Sequence, residues 1–396
     1  MSDNKPKYIE GVGWRYETLH SMHRRMQGHD YRERCIYMIT LSTEGRQNLL
    51  GSLRWPSGKP SEAIVEPTPL GREVQRCWLS IPGHYPGVVP LALQLMPDHL
   101  HGLLFVTREQ QAHLGQIVNG FKIGCNKAYR QLIVKYHEAL PHDTEREALP
   151  HDTEREALPH DERETLPHDE REALPAKLPK HPAHGMLFEP GYQDSILMSK
   201  GQLDRMFNYI ADNPRRLAVK REQPDLFRVV RHLTVRFHEA PPHESADEAQ
   251  GQTFAAIGNR WLLDRPVRLQ VRCHNNTTAA NLHLIERQKE YFLRRGKEGA
   301  VIVSPCISAG EKEIARAALD AGMPLVVILE NGFPPMYKPP GKYFEACAKG
   351  LLLMLAPWPY HMERRTITRS QCLALNGMAC ALSTEPWTQD LEAQLR

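Results

Sequence analysis

No Cys-x-x-Cys pair occurs in this chain of 396 residues, and its eight cysteines (Cys35, Cys77, Cys125, Cys273, Cys306, Cys347, Cys372, Cys380) lie scattered. That argues against a zinc ribbon or a disulfide framework and for a reducing compartment, the cytoplasm. An excess of charge of one sign is also lacking. The formal net charge is only +3, so any nucleic-acid surface has to be local rather than global. The opening MSDNKPKYIEGVGWRYE has no apolar core of the kind a secretory leader carries. The longest apolar runs, such as Gly350 to Trp358, are too short to span a bilayer. These absences predict a soluble, cytoplasmic protein with no membrane partner. Apolar residues make up 41% of the chain, enough for real cores, and the length suggests two or three domains.

The first 34 residues are polar and aromatic and read as an irregular arm. Cys35 to Leu41 (CIYMITL) reads as a buried strand. Leu49 to Pro69, rich in Pro, Gly and Ser, reads as loop. Thr68 to Ile81 predicts a short amphipathic helix, with Thr68 as cap and Pro69 in the first turn. Val88 to Met96 and Gly102 to Thr107 predict two strands of a hairpin, joined by a tight Pro97-Asp98 turn. From Gln110 to about His137, Leu114, Ile117, Val118, Phe121, Ala128 and Leu132 recur at helical spacing.

A tandem array follows: EALPHDTER, EALPHDTER, EALPHDER, ETLPHDER, EALP. Its period is far shorter than that of a solenoid. Proline interrupts each unit, and nothing aromatic is present to build a core. Residues 138–183 therefore read as a disordered insert within a domain. Loop-closure cost grows only logarithmically with length, so the elements on either side can still assemble. Met186 to Leu197 looks extended. Lys200 to Asn213 reads as a helix that Pro214 closes, and Arg215, Arg216, Lys220 and Arg221 follow as a dense basic patch.

The chemistry centres on His99-Leu100-His101. Residues two apart on a strand share a face, so two neutral imidazoles there make half of a divalent-metal site. With 20 His in the chain, roughly one His-x-His pair arises by chance, so the pair alone is weak evidence. Tyr209 and Asn213 stand four apart on a helix and share a face. A tyrosine hydroxyl becomes a useful nucleophile when a metal ion polarises a phosphodiester. Asn213 offers a neutral oxygen as a third ligand for Mg²⁺ or Mn²⁺. The alternative on composition alone is a core tyrosine and a helix-capping asparagine.

MPDHLHGLLF, then a basic helix containing GFK, then FEPGYQDSIL, then a helix ending YIADNP before basic residues: this combination resembles the REP-associated branch of the single-tyrosine transposases of the HUH nuclease superfamily. The resemblance spans roughly Arg32 to Lys220 without the insert. It implies an α+β ferredoxin-like HUH nuclease domain, with His99 and His101 as metal ligands, Asn213 as the extra ligand and Tyr209 as nucleophile. Tyr192 is the runner-up tyrosine. The implied partner is single-stranded, hairpin-forming repeat DNA, and the implied reaction is transesterification through a 5′-phosphotyrosine. Lys122, Arg130, Arg215, Arg216, Lys220 and Arg221 are the expected phosphate contacts.

Beyond this region strands and helices alternate. Helices are expected at Ala279–Arg295, Ala309–Ala321 and Gly341–Lys349, and strands at Ala300–Ser304, Pro324–Glu330 and Leu351–Ala356. That rhythm predicts a C-terminal α/β Rossmann-like domain. It is similar to the core of DprA-type DNA-processing proteins, through Ser304-x-x-x-Ser308-x-Gly310 and Glu330-Asn331-Gly332. The corresponding region of that family helps bind single-stranded DNA. Ser304, Ser308, Gly310 and Asn331 are the ligand candidates, at strand ends or the helix start. The expected domains are an arm at 1–34, an HUH transposase domain at 35–222, a connecting region at 223–270 and an α/β domain at 271–396. The chain is expected to be a metal-dependent transposase, monomeric or homodimeric. The alternatives are a domesticated hairpin-binding protein that does not cut and a nucleotide-binding enzyme centred on the C-terminal domain.

Overall fold

The computed structural model describes residues 7–9, 13–15, 26, 28–139, 187–235, 252–273, 279–334, 337–363 and 365–395. Most of the repeat array, and so most of the insert expected at 138–183, lies outside the described residues. The chain forms two compact units, residues 1–218 and 219–396, each of mixed α and β structure.

In the first unit β1 (Lys7–Ile9) pairs antiparallel with β2 (Gly13–Arg15), in the stretch expected to be irregular. Then come β3 (Cys35–Ser42), β4 (Gly51–Arg54) and β5 (Ile64–Pro67). The last two pair with each other inside the expected loop. Leu53 supplies the apolar residue that makes that pairing worth forming, and it is buried. Next are α1 (Pro69–Leu79), α2 (Ile81–His84), β6 (Val88–Met96), β7 (His99–Val106), α3 (Leu114–Ala139), β8 (Gln193–Leu197) and α4 (Gln202–Glu222). The cap of α1 is the expected one: the Thr68 hydroxyl accepts from the Gly71 amide at 3.0 Å.

The four-stranded sheet runs β6-β7-β3-β8, and every pairing in it is antiparallel. Strand alternation sorts its residues between two faces. Tyr37, Ile39, Leu41, Leu100, Leu104 and Val106 face one core, together with Leu70, Val74 and Trp78 of α1 and Leu114, Ile117 and Phe121 of α3. Met38 and Leu103 face the other, where Ile210 of α4 covers them. Gly102 is required on the first face: a Cβ there would sit 2.4 Å from the Trp78 ring.

Two departures bear on the site. β7 begins at His99, two residues after β6 ends, so both histidines lie within the strand. Helix α4 does not stop at Pro214 but carries it inside and continues to Glu222. Ile210, Pro214 and Ala218 form one buried stripe four residues apart. Packing along that stripe offsets the missing proline N–H.

The second unit contains α5 (Pro224–Phe227), β9 (Val230–Val235), β10 (Gln252–Gly258), β11 (Arg268–Gln270), α6 (Ala279–Lys297), β12 (Val301–Ser304), α7 (Ala309–Asp320), β13 (Leu325–Ile328), α8 (Gly341–Ala348), β14 (Leu352–Ala356), α9 (Arg369–Leu382) and α10 (Gln389–Leu395). Its sheet order is β11-β12-β13-β14-β10-β9. The first four strands are parallel, and β10 and β9 add antiparallel. Within 223–270, expected as a connecting region, β9 and β10 are unexpected strands, while β11 falls where Arg265 to Cys273 reads as a strand. Residues 300, 302, 325, 327, 352 and 354 pack under α6, α7 and α8. Residues 301, 303, 326, 328, 353 and 355 pack under α9. Crossovers of one hand, stepping in one direction along the sheet, put α6, α7 and α8 on the same face.

Candidate functional site

His99 and His101 project from the face of β7 that α4 covers. Their ring centroids are 4.9 Å apart and nearly perpendicular. His101 is buried and the His99 side chain is 12% exposed. Each ring is oriented through Nδ1. The Thr40 hydroxyl, on the strand position paired with His101, lies 2.8 Å from His101 Nδ1. The Asp98 carboxylate lies 2.6 Å from His99 Nδ1. Burial pushes the Asp98 carboxyl up, but the His99 hydrogen bond, the His99 charge and Arg46 outweigh it and hold it below its usual range. With Nδ1 committed on both rings, Nε2 is the nitrogen through which either would bind a metal. The sequence reading missed both orienting residues. Asp98 adjoins the pair and was legible there; Thr40 is found only through strand register.

Tyr209 meets this pair from α4. Its ring centroid is 5.6 Å from that of His101, edge to face, and it is half-buried beside Met38, Leu103 and Ile210. Asn213 Nδ2 donates to the Tyr209 carbonyl at 2.8 Å. The Asn213 amide oxygen is therefore the donor atom available for a cation. Tyr192 packs instead against the core under α1 and α3, on the other face of the sheet. Among the described residues no group of three or more His, Cys, Asp or Glu could hold a metal. The two imidazoles meet Tyr209 here, and Asn213 stands four residues further along α4.

The expected phosphate contacts divide. Lys122 points inward: its Nζ donates to the carbonyls of Glu189 (2.7 Å) and Gly191. With Asn126, whose Oδ1 accepts from the Leu187 amide at 3.2 Å, it holds the chain against α3 just after the repeats. Burial brings its ammonium down to about 8, against the attraction of Glu189. Lys122 is thus a structural clamp rather than an outward charge. Arg215 grips Asp212 with two nitrogens, one of them at 3.0 Å, which offsets part of its charge. Lys220 Nζ lies over the Phe344 ring at 5.8 Å, and Arg216 is half-buried. Arg130 and Arg221 are exposed.

In the second unit the ligand candidates have local duties. Ser308 caps α7 and accepts from the Glu311 amide. The buried Glu311 carboxylate accepts from the amides of Ile307 and Ser308, each at 2.9 Å. It occupies the place at the helix start where a phosphate would bind. Gly310 allows close packing, since a Cβ there would lie 2.4 Å from Cys273 Sγ. Ser304 Oγ accepts from the Cys306 amide at 3.2 Å. Asn331 ties both its amide atoms to the His361 backbone. A cavity of about 560 Å³ opens beyond β12 and β13, and Cys306, Lys312, Arg316, Glu330, Lys342 and Tyr343 line part of it. Sequence reasoning missed these side chains because α7 and α8 converge there only in three dimensions.

No family model matches the chain. A curated protein of Haemophilus influenzae, described as uncharacterized, is 27% identical over 85 residues, 22% of this chain and 43% of that protein. The chain thus spans less than half the length of that relative. Among solved structures, a REP-associated tyrosine transposase bound to a REP hairpin is similar with a TM-score of 0.27 at 10% identity, over 48% of this chain and 72% of that one. DNA processing protein A from Helicobacter pylori, described for its single-stranded DNA binding mode, gives a TM-score of 0.28 at 15% identity, over 43% and 75%. No helix among the described residues is long and apolar enough to cross a membrane.

Proposed function

We propose that the chain is a metal-dependent single-stranded DNA endonuclease and strand transferase of the HUH type, acting on hairpin-forming repeat DNA. The observation that carries this reading is the meeting of His99 and His101 with Tyr209 on one face of the sheet. Apart from the β4–β5 pair and α2, the elements follow the order β3-α1-β6-β7-α3-β8 with strands arranged β6-β7-β3-β8, which supports reading the sheet as ferredoxin-like. The second unit is read as a Rossmann-like domain.

His99, His101 and Asn213 are the residues that would hold a divalent cation. Each imidazole is oriented through Nδ1, so Nε2 is the nitrogen that would ligate, and Asn213 would add its amide oxygen. A neutral nitrogen–oxygen set suits Mn²⁺ better than Mg²⁺, which prefers oxygen. The cation, when bound, supplies Lewis-acid polarisation of the scissile phosphate. Tyr209 Oη attacks phosphorus and gives its proton to solvent. The bond from phosphorus to the 3′ oxygen breaks, and that oxygen leaves as a hydroxyl. The product is a 5′-phosphotyrosine, which a 3′-hydroxyl reverses to rejoin strands. Arg130 and Arg221, with Arg215, Arg216 and Lys220, supply the salt-dependent share of DNA binding.

The test is covalent trapping with Mn²⁺ and single-stranded oligonucleotides carrying palindromic hairpins. The expected result is a denaturant-resistant adduct that needs metal and is absent in Tyr209→Phe and His101→Ala. An adduct that survives Tyr209→Phe would overturn the nucleophile. Tight hairpin binding with no adduct would replace the reading with a non-cleaving hairpin-binding protein.

A further inference from the structure

Arg268 opens β11 and is 6% exposed. Its Nε donates to the Leu382 carbonyl and its Nη1 to the Arg265 carbonyl, each at 2.6 Å. Both acceptors are neutral. Among the described residues no carboxylate forms an ion pair with it; the exposed Asp264 acts only through space. A buried guanidinium with carbonyl partners alone is an unusual economy, because a charge taken out of water is normally paired. Nη2 makes no hydrogen bond among the described residues.

Arg268 lines an open cavity of about 460 Å³, with Leu233, Val235, Trp261, Leu263 and Leu382. Trp261 is 77% exposed, so a large aromatic face is left in water beside the under-compensated cation. Arg260 and Asp264 sit at the same cavity. The volume falls within the range of roughly 300–1,000 Å³ usual for small-molecule sites.

We propose that this cavity binds a small organic oxyanion. A carboxylate or phosphate monoester would take the remaining N–H donors of Arg268, whose planar fork matches either group. The attached planar, apolar body would lie against Trp261 and the Leu233–Leu263–Leu382 wall. This site lies wholly in the second unit and does not depend on the strand-transfer reading.

The test is calorimetric titration of the full-length chain with phenyl phosphate, benzoate and inorganic phosphate. Saturable binding of at least one aromatic anion is expected, with inorganic phosphate at least about tenfold weaker. The stronger of the two aromatic ligands identifies the oxyanion. Arg268→Lys and Trp261→Ala should each weaken binding about tenfold. The exposed Trp261 can be removed without touching the core, so Trp261→Ala remains informative if Arg268→Lys fails to fold. Failure of both aromatic anions to saturate would overturn the proposal and leave Arg268 as the C-terminal cap of α9. Binding unchanged in the folded variants would overturn it too, as would inorganic phosphate binding as tightly as phenyl phosphate.

Discussion

Thr40 stands directly opposite His101 in the β3–β7 pairing, and its hydroxyl lies 2.8 Å from His101 Nδ1. In the turn just before β7, Asp98 does the corresponding work for His99. The two rings are therefore each held through Nδ1, by one residue reached through strand register and one reached through adjacency.

This arrangement sets an expectation for metal binding. Thr40→Val and Asp98→Asn should each lower Mn²⁺ affinity by about 10- to 100-fold, the usual cost of losing a group that orients a ligating histidine. Isothermal titration with Mn²⁺ measures it. Unchanged affinity in both variants would remove these residues from the site.

Gly102 lies between His101 and Leu103 and faces the opposite core. Gly102→Ala would drive a methyl group into the Trp78 indole. The expected cost is about 1–3 kcal/mol of stability, as for other overpacked cores, read as a lower urea midpoint. Trp78→Phe in the same background should recover part of that loss by making room.

Lys122 gives a pH dependence of definite sign. Its folded-state value, about 8, lies below the usual value for an unfolded lysine, near 10.4. Between the two, the unfolded chain binds the extra proton. Stability therefore gains from this group as pH rises through that window, with a slope of at most about 1.4 kcal/mol per pH unit. Lys122→Met should remove that component, so the difference in stability between the two proteins should vary with pH from about 8 upward. A constant difference would show that the ammonium is not desolvated.

Cys77 and Cys125 oppose each other between α1 and α3. The hydrogen bond from Cys125, working against burial and with help from Arg76, brings the Cys77 thiol down to about 7. Burial sends Cys125 the other way. Iodoacetamide should therefore modify Cys77 faster than Cys125 at neutral pH, with half-maximal rate near pH 7. Cys125→Ala should move that midpoint up by about one unit toward the ordinary thiol range. Mass spectrometry of timed samples follows both sites.

The helices and strands of the second unit were legible because their signals are local. Ala309 to Ala321 has the 3.6 period, and Val301 to Ser304 is a short apolar run bounded on both sides. Thr68 and Pro69 announce the start of α1 in the same way. Pro214 misled, since its local preference ends a helix and only the buried stripe with Ile210 and Ala218 reverses that. β9 and β10 were missed because their partners lie far along the chain. Phe254 pairs with Leu233 across a stretch with no period of its own.

The amino-acid sequence by itself determined that two imidazoles stand two residues apart beside a strand and that Tyr209 and Asn213 share a helix face, because the first is spacing alone and the second follows from helical periodicity. The structure extended that strand to include both histidines. Tertiary structure alone decided which sheet face that helix covers, that Thr40 backs His101, that Lys122 turns inward and that Glu311 fills the start of α7. Each depends on strand register or on the docking of elements distant in sequence. The free energy for those contacts comes from side chains meeting across the fold, and no window of neighbouring residues contains it.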